Sequence, residues 1–159
     1  MYQEFKTGKE GELTLMLPED FHSLFPEEPG AGNNFAAKDE EKHVTVNVTW
    51  KKVPAIFRLF GFDAKKAAKN TERGMKKVIE KRGGSDYSLT GEEETEIGGI
   101  PAKGFRCTYT AQGISMTAVY LLLIRNREFY AFILLGRTEK AEENEAVFRE
   151  LLENVKFSE

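Results

Sequence analysis

The 159-residue chain has 40% hydrophobic and 31% charged residues, a globular composition that excludes a disordered chain. Its net charge of −3 argues against a general polyanion binder, and the sequence contains no run of about 18 apolar residues that could span a membrane. Cys107 is the only cysteine, which excludes an internal disulfide and a cysteine-based zinc site.

The chain begins with segments that predict short strands. Residues 11–17 alternate apolar and polar positions and predict a strand that ends at a proline. Residues 19–32 are rich in proline and glycine and predict a loop, and residues 33–38 predict a short strand. In residues 44–50, valine and tryptophan alternate with threonine and asparagine, which predicts a strand with one lightly covered face.

Residues 63–82 predict the clearest helix of the chain. Asp63 is suited to cap its start and Gly83 to end it. Gly74 lies inside and costs up to about 1 kcal/mol relative to alanine. The side opposite the apolar positions carries a basic face, made of Lys65, Lys66, Lys69, Arg73, Lys76 and Lys77. Residues 63–82 hold eight Lys or Arg against three acids, a local charge of +5 that leaves −8 on the rest.

The second half of the chain predicts antiparallel hairpins. Residues 87–97 predict a polar strand rich in glutamate, followed by a turn at residues 98–101. Turns at Gly113 and at the Asn126-Arg127 pair separate the next predicted strands, which cover residues 102–110, 114–125 and 128–136.

The predicted hairpin between Tyr120 and Leu135 is apolar on both faces, so both faces must be covered. A final helix is predicted over residues 139–154, with Thr138 as its cap and Glu145 as the one polar residue on its inner side. These elements predict an α+β fold, a three-layer α/β/α sandwich with a central, mainly antiparallel sheet of six or seven strands.

Four stretches of the chain, in this order, resemble the PsbP-like fold family: residues 15–21, 97–102, 129–132 and 151–157. That family includes the photosystem II extrinsic protein PsbP, a Ran-binding import factor and DcrB-type bacterial proteins. The resemblance implies a single PsbP-like domain over residues 1–159, with an antiparallel sheet between helices. It also implies a binding, scaffold or chaperone-like role rather than catalysis, and it transfers no functional residue.

Two features of the sequence support hypotheses about partners. Residues 53–62 crowd large apolar side chains between a strand and a helix, where they either plug the core or form an exposed patch for a partner: Ile56, Phe57, Leu59, Phe60 and Phe62. The basic face is either a solvated helix surface or a site for an acidic partner, including the acidic C-terminal helix of a second copy. Nucleic acid is disfavoured because no aromatic residue interleaves with the lysines.

The sequence contains no nucleotide-binding, hydrolase or zinc-protease motif, so no catalytic residue, metal ligand or cofactor is predicted. His22 and His43 are expected at the surface, and Cys107 is expected to be a small buried residue. The glutamate-rich run at residues 92–96 predicts a solvated acidic arm rather than a calcium site, because it lacks the spacing of a calcium loop.

The function predicted from these observations is a non-enzymatic protein- or peptide-binding module, chaperone-like or a scaffold. The alternative is a carrier of a small apolar ligand in a pocket between sheet and helix. The expected partner is another protein or peptide, with a homodimer as one form of it. The first residues lack the features of a signal peptide, which favours a cytoplasmic protein; the alternative is an exported protein or lipoprotein whose signal segment is absent from this sequence.

Overall fold

The structure is a computed structural model, and it describes residues 1–24, 33–56 and 63–158. Its strands are β1 Tyr2–Thr7, β2 Leu13–Pro18, β3 His22–Ser23, β4 Asn34–Asp39, β5 Val44–Lys52, β6 Ser85–Ile97, β7 Ile100–Ala111, β8 Ile114–Arg125, β9 Glu128–Arg137 and β10 Lys156–Phe157. Its helices are α1 Ala64–Lys81 and α2 Ala141–Glu153, with short 3-10 turns at Lys9–Gly11 and Thr138–Lys140.

Seven of these strands form one antiparallel sheet in the order β3-β4-β5-β9-β8-β7-β6. Two-residue turns join β6 to β7, β7 to β8 and β8 to β9, and both central residues of each turn have positive φ, as type I′ turns require. The predicted hairpin of β8 and β9 lies in the interior of this sheet. This position confirms the prediction that the hairpin, which is apolar on both faces, is covered on both faces.

The two faces of the large sheet are covered by different layers. On one face α1 packs on β7 and β8, with Ala68 of the helix in the same cluster as Phe105 and Cys107 of β7. On the other face α2 contributes Phe148 and Leu151 to a larger core around the buried ring of Phe132. The structure therefore confirms the predicted α+β sandwich.

A three-stranded sheet, ordered β1-β2-β10, shares the second face with α2. Leu13, Leu15 and Leu17 of β2 are fully buried there against the large sheet. Sequence patterning did not predict β1, because its inward positions include only one large apolar residue, Phe5. β2 was predicted, but its pairing with both the first and the last strand depends on contacts between distant segments.

The ends of the helices confirm one predicted cap and correct another. Asp63 Oδ1 accepts a hydrogen bond from Lys66 N at 2.9 Å, and Gly83 has φ 85° just after α1, as predicted. The prediction that Thr138 caps α2 was wrong. Thr138 lies in the 3-10 turn before α2, and its Oγ1 accepts hydrogen bonds from the hydroxyls of Ser115 and Thr117, at 2.8 and 2.9 Å.

Candidate functional site

A groove of about 520 Å³ runs between α1 and the β6–β7 hairpin. We call it the charged groove, because eight of its twelve lining residues are ionisable. The lining consists of Lys65, Ala68, Lys69, Glu72, Arg73, Leu89, Glu92, Glu93, Glu94, Lys103, Gly104 and Phe105.

Helix periodicity divides the predicted basic face between the charged groove and open solvent. All six cations of that face are exposed. Lys65, Lys69 and Arg73 line the groove, and the other three do not: Lys66, Lys76 and Lys77. Lys69 and Arg73 form no ion pair with the described part of the chain, so the helical wall offers charges that can still be paired.

The opposite wall is acidic. Glu92 and Glu94 pair with Phe105 and Lys103 of β7, and therefore project from the same face of the sheet as α1. The hydrogen bond and the charge of Lys103, followed by the charge of Lys65, lower the pKa of Glu94. Glu92 has no ion-pair partner among the described residues. The groove thus sets available cations opposite an available acid.

The floor of the charged groove is closed and apolar. Phe105 is 3% exposed, and its ring stacks on that of Tyr120 with centroids 4.9 Å apart. Ala68 of α1 is also buried, whereas Leu89 on β6 is 50% exposed and gives the wall an apolar patch. An occupant of the groove therefore meets charged walls and one apolar contact rather than an apolar cavity.

Ionisable groups lie buried beside the groove, under α1. Cys107 is fully buried, and burial raises the pKa of its thiol to about 11. Its Sγ lies 4.0 Å from Met75 Sδ. The hydroxyl of Tyr87 donates to Glu72 Oε1 at 3.1 Å, and burial is the main cause that raises the pKa of Tyr87. A protonated, inaccessible thiol is not a nucleophile, which confirms the prediction that Cys107 is a small buried residue.

The predicted apolar patch is only partly within the described structure. Ile56 is 57% exposed. The remaining members of the patch lie outside the described residues: Phe57, Leu59, Phe60 and Phe62. The hypothesis that this segment contacts a partner stays a prediction.

A second polar cluster joins the small sheet to the large one, and no feature of the sequence pointed to it. Tyr130 is fully buried and donates its hydroxyl hydrogen to Glu12, while its oxygen accepts from Lys9 N at 3.0 Å. Arg125 Nη1 bonds the other carboxylate oxygen of Glu12 at 2.6 Å, and Lys9 Nζ lies 3.0 Å from Glu128 Oε1. Each member has a partner, so the cluster is a structural link and leaves no group free for chemistry.

Solved structures of three proteins resemble this chain over nearly its whole length. Cyanobacterial PsbP from Synechocystis matches with a TM-score of 0.69 and 13% identity, over 98% of this chain and 92% of that one. The chain has the PsbP-like fold. The Ran-binding protein Mog1p of Saccharomyces cerevisiae matches with a TM-score of 0.64 and 8% identity, over 99% of this chain and 95% of that one. LpqN of Mycobacterium tuberculosis, a protein involved in cell envelope biogenesis, matches with a TM-score of 0.60 and 14% identity, over 100% of this chain and 91% of that one.

These likenesses confirm the PsbP-like resemblance at the level of fold, since identities of 8–14% carry no functional residue across. No protein-family profile matches the sequence. A search of curated proteins found no relative.

Three further findings bear on the remaining sequence predictions. No helix in the described ranges is long and apolar enough to cross a membrane. Within the same ranges, no three His, Cys, Asp or Glu side chains are grouped to hold a metal ion. His22 and His43 are both exposed, and His22 Nε2 lies 3.6 Å from Glu40. The cellular compartment stays a prediction.

The sequence predicted the two charged walls of the groove separately, but it did not predict that they lie next to each other. The basic face and the glutamate run were both identified, yet they are separated along the chain by a turn, and no spacing rule pairs a helix flank with one particular strand. The sequence predicted Leu89 and Phe105 to lie in strands, but it did not predict that they line a groove. The groove exists because α1 crosses back over the β6–β7 hairpin.

Proposed function

We propose that this chain is a non-enzymatic module that binds a segment of another polypeptide in the charged groove. The observation that carries the proposal is the unpaired charge on both walls, with Lys69 and Arg73 on α1 opposite Glu92 on β6. A partner segment that enters the groove gains ion pairs of both signs, and such complementarity favours specific partners and fast association. Leu89 adds an apolar contact on the wall of the groove.

The fold comparison supports a protein partner. Mog1p, which has the same fold over 99% of this chain, is a Ran-binding protein. The described residues that line the groove also form no convergent set of nucleophile, base and oriented partner, since Cys107 is buried and protonated beneath it. Both points favour binding over catalysis.

The second candidate is a carrier of a small apolar ligand. The groove volume of about 520 Å³ suits a small molecule, because such sites usually enclose roughly 300–1,000 Å³. Its walls do not suit an apolar one, since charged side chains lose hydration when an apolar ligand covers them without pairing them. The carrier is therefore the weaker candidate.

Site-specific crosslinking in cells tests the proposal. A photo-crosslinking amino acid replaces Leu89 in the groove wall, and in a control protein it replaces Ile114, which is 39% exposed and lies outside the groove lining. We expect a discrete crosslinked polypeptide from position 89 and none from position 114. Native mass spectrometry of the purified protein is run in parallel.

Two variants of equal charge show whether the groove is responsible. The groove variant carries Lys65→Gln, Lys69→Gln and Arg73→Gln, and the outer variant carries Lys66→Gln, Lys76→Gln and Lys77→Gln. We expect the groove variant to reduce the crosslink yield by about fivefold or more, since each lost pair is worth up to about 1 kcal/mol. The outer variant should change it little. Equal effects of both variants, or a bound small molecule without any crosslink, would contradict the proposal.

A further inference from the structure

The outer edge of β6 has no partner strand in the described ranges. β6 is the last strand of the seven-stranded sheet and pairs with β7 alone among the described strands. An edge strand presents a row of unpaired backbone N–H and C=O groups, which an extended peptide can satisfy by adding a strand. At 13 residues, β6 is long for an edge.

Only half of this edge is regular enough to accept a strand. Register shifts interrupt the pairing with β7 between Ser85 and Ser88 and between Leu89 and Gly91. Such bulges twist an edge away from further pairing. Residues 91–97, in contrast, pair continuously with residues 100–106. At about 3.3 Å per residue these seven residues offer an edge of about 23 Å.

The charges along the regular half determine what can add there. Glu92, Glu94 and Glu96 alternate along β6 and are exposed on the α1 side of the sheet. Lys103 offsets Glu94, but Glu92 and Glu96 have no ion-pair partner in the described ranges. The acid on the other side, Glu93, is already paired with Arg149 Nη2 at 3.1 Å. The unpaired negative charge therefore lies on one side of the edge.

This pattern excludes a second copy of the same strand. Antiparallel pairing of β6 with β6 would place glutamates opposite or diagonal to glutamates, and like charges across strands are destabilising. A strand with Lys or Arg at alternate positions would instead place its cations beside Glu92, Glu94 and Glu96.

From this geometry we infer that the partner contributes an extended basic segment of about seven residues, which adds as a strand to β6 along residues 91–97. The inference rests on the proposed function and names the chemistry of the partner. The added strand would extend the sheet beside the charged groove, so the same partner could cover both surfaces.

The test uses synthetic peptides and fluorescence anisotropy. The probe is a fluorescein-labelled nine-residue peptide of alternating lysine and valine. A second peptide has the same side chains but N-methyl groups on three consecutive central residues, so that neither edge can pair. A third replaces every lysine by glutamate. We expect the probe to bind, the N-methylated peptide to bind about tenfold or more weakly, and the acidic peptide not to bind.

Two protein variants locate the site. The edge variant carries Glu92→Gln, Glu94→Gln and Glu96→Gln. The control variant carries Glu139→Gln, Glu142→Gln and Glu143→Gln, which are exposed in the 3-10 turn before α2 and in its first turn. Circular dichroism checks that both fold. We expect the edge variant to weaken probe binding about tenfold and the control variant less than about twofold, because only the edge glutamates face the added strand. Amides of residues 91–97 should gain protection from hydrogen exchange when the probe binds.

Either of two outcomes overturns strand addition. Equal affinity for the probe and its N-methylated form would show adsorption by charge alone, and unchanged affinity of the edge variant would place the peptide elsewhere. The proposed function fails separately. If Leu89 still crosslinks a polypeptide while the probe does not bind, the groove remains the binding site and the edge does not.

Discussion

At the scale of single residues, burial decides the chemistry of the groups beneath α1. Cys107, Tyr87 and Tyr120 lie close together, and burial is the main cause that raises the pKa of each, to about 11 for Cys107 and about 12 for Tyr120. The sequence indicated that Cys107 is buried, because it alternates with aromatic residues in a strand. Its neighbours could not be predicted, since Met75 reaches it from α1 and Tyr87 reaches it from the neighbouring strand β6.

The pKa of Cys107 makes stability depend on pH. Below pH 9 the thiol is protonated in both the folded and the unfolded chain, so it contributes its full stabilisation. Between about pH 9 and 11 the unfolded chain loses the proton and the folded chain keeps it, so the free energy of unfolding falls. We expect Cys107→Ala to flatten this decline by up to about 1.4 kcal/mol per pH unit.

Urea denaturation at several pH values measures this slope in both proteins. The tyrosines remain in both, so the difference between the slopes reports the thiol together with its charge coupling to Tyr87, Tyr109 and Tyr120. Parallel slopes would mean that Cys107 ionises in the folded protein as readily as in the unfolded chain.

At the scale of elements, the sequence predicted the helices and strands whose bounds depend on local periodicity and turn residues. α1, β5 and the β7–β8–β9 hairpins were predicted close to their observed bounds, because their periodicity and their turn residues agree. β1 and β10 were not predicted as paired strands. Each is short or polar, and each is held by β2, which a scan along the chain cannot identify as its partner.

Substitution of Gly74 in α1 tests helix propensity alone, because a side chain there makes no packing contact. A Cβ atom built at this position meets no atom within 4 Å. We expect Gly74→Ala to raise the free energy of unfolding by about 0.5–1 kcal/mol, because alanine loses less backbone entropy in a helix. Thermal and urea denaturation measure the gain.

Gly104 in β7 is the control for Gly74, because it is a glycine with no space for a side chain. A Cβ atom there would overlap the backbone carbonyl oxygen of Tyr120 on the neighbouring strand. Gly104→Ala should therefore destabilise the protein strongly. A loss of stability in Gly74→Ala would mean that the exposed side of α1 is packed against something in the folded protein.

At the scale of the whole molecule, a basic helix and an acidic helix lie on opposite sides of the large sheet. Residues 63–82 carry +5, and α2, on the opposite side, is rich in glutamate. Composition alone revealed the basic helix. It could not reveal that the glutamates of β6 stand against it across a groove, because that placement follows from the order of strands in the sheet.

The link between the two sheets can be tested through Tyr130. Tyr130→Phe removes the hydrogen bond to Glu12 and leaves Lys9 N without its acceptor. We expect a loss of about 1–3 kcal/mol in the free energy of unfolding, the usual cost of an unsatisfied buried polar group. Urea denaturation measures it.

Tyr109→Phe is the control for that substitution. The Tyr109 hydroxyl has no hydrogen-bond partner in the part of the chain that the structure describes, so its removal should change stability by less than about 0.5 kcal/mol. Similar losses in both variants would show that the Tyr130 hydroxyl does not hold the two sheets together.

The pairing of β2 with both β1 and β10 has a consequence for synthesis on the ribosome. The strands of the large sheet are translated before α2 and β10, which cover its second face. Until residues 141–157 leave the exit tunnel, a nascent chain that has already paired β5, β9 and β8 still exposes Phe132 and Leu121 to water. The interval in which these strands are most exposed to misfolding and to capture by chaperones therefore lasts until residues 141–157 have left the exit tunnel.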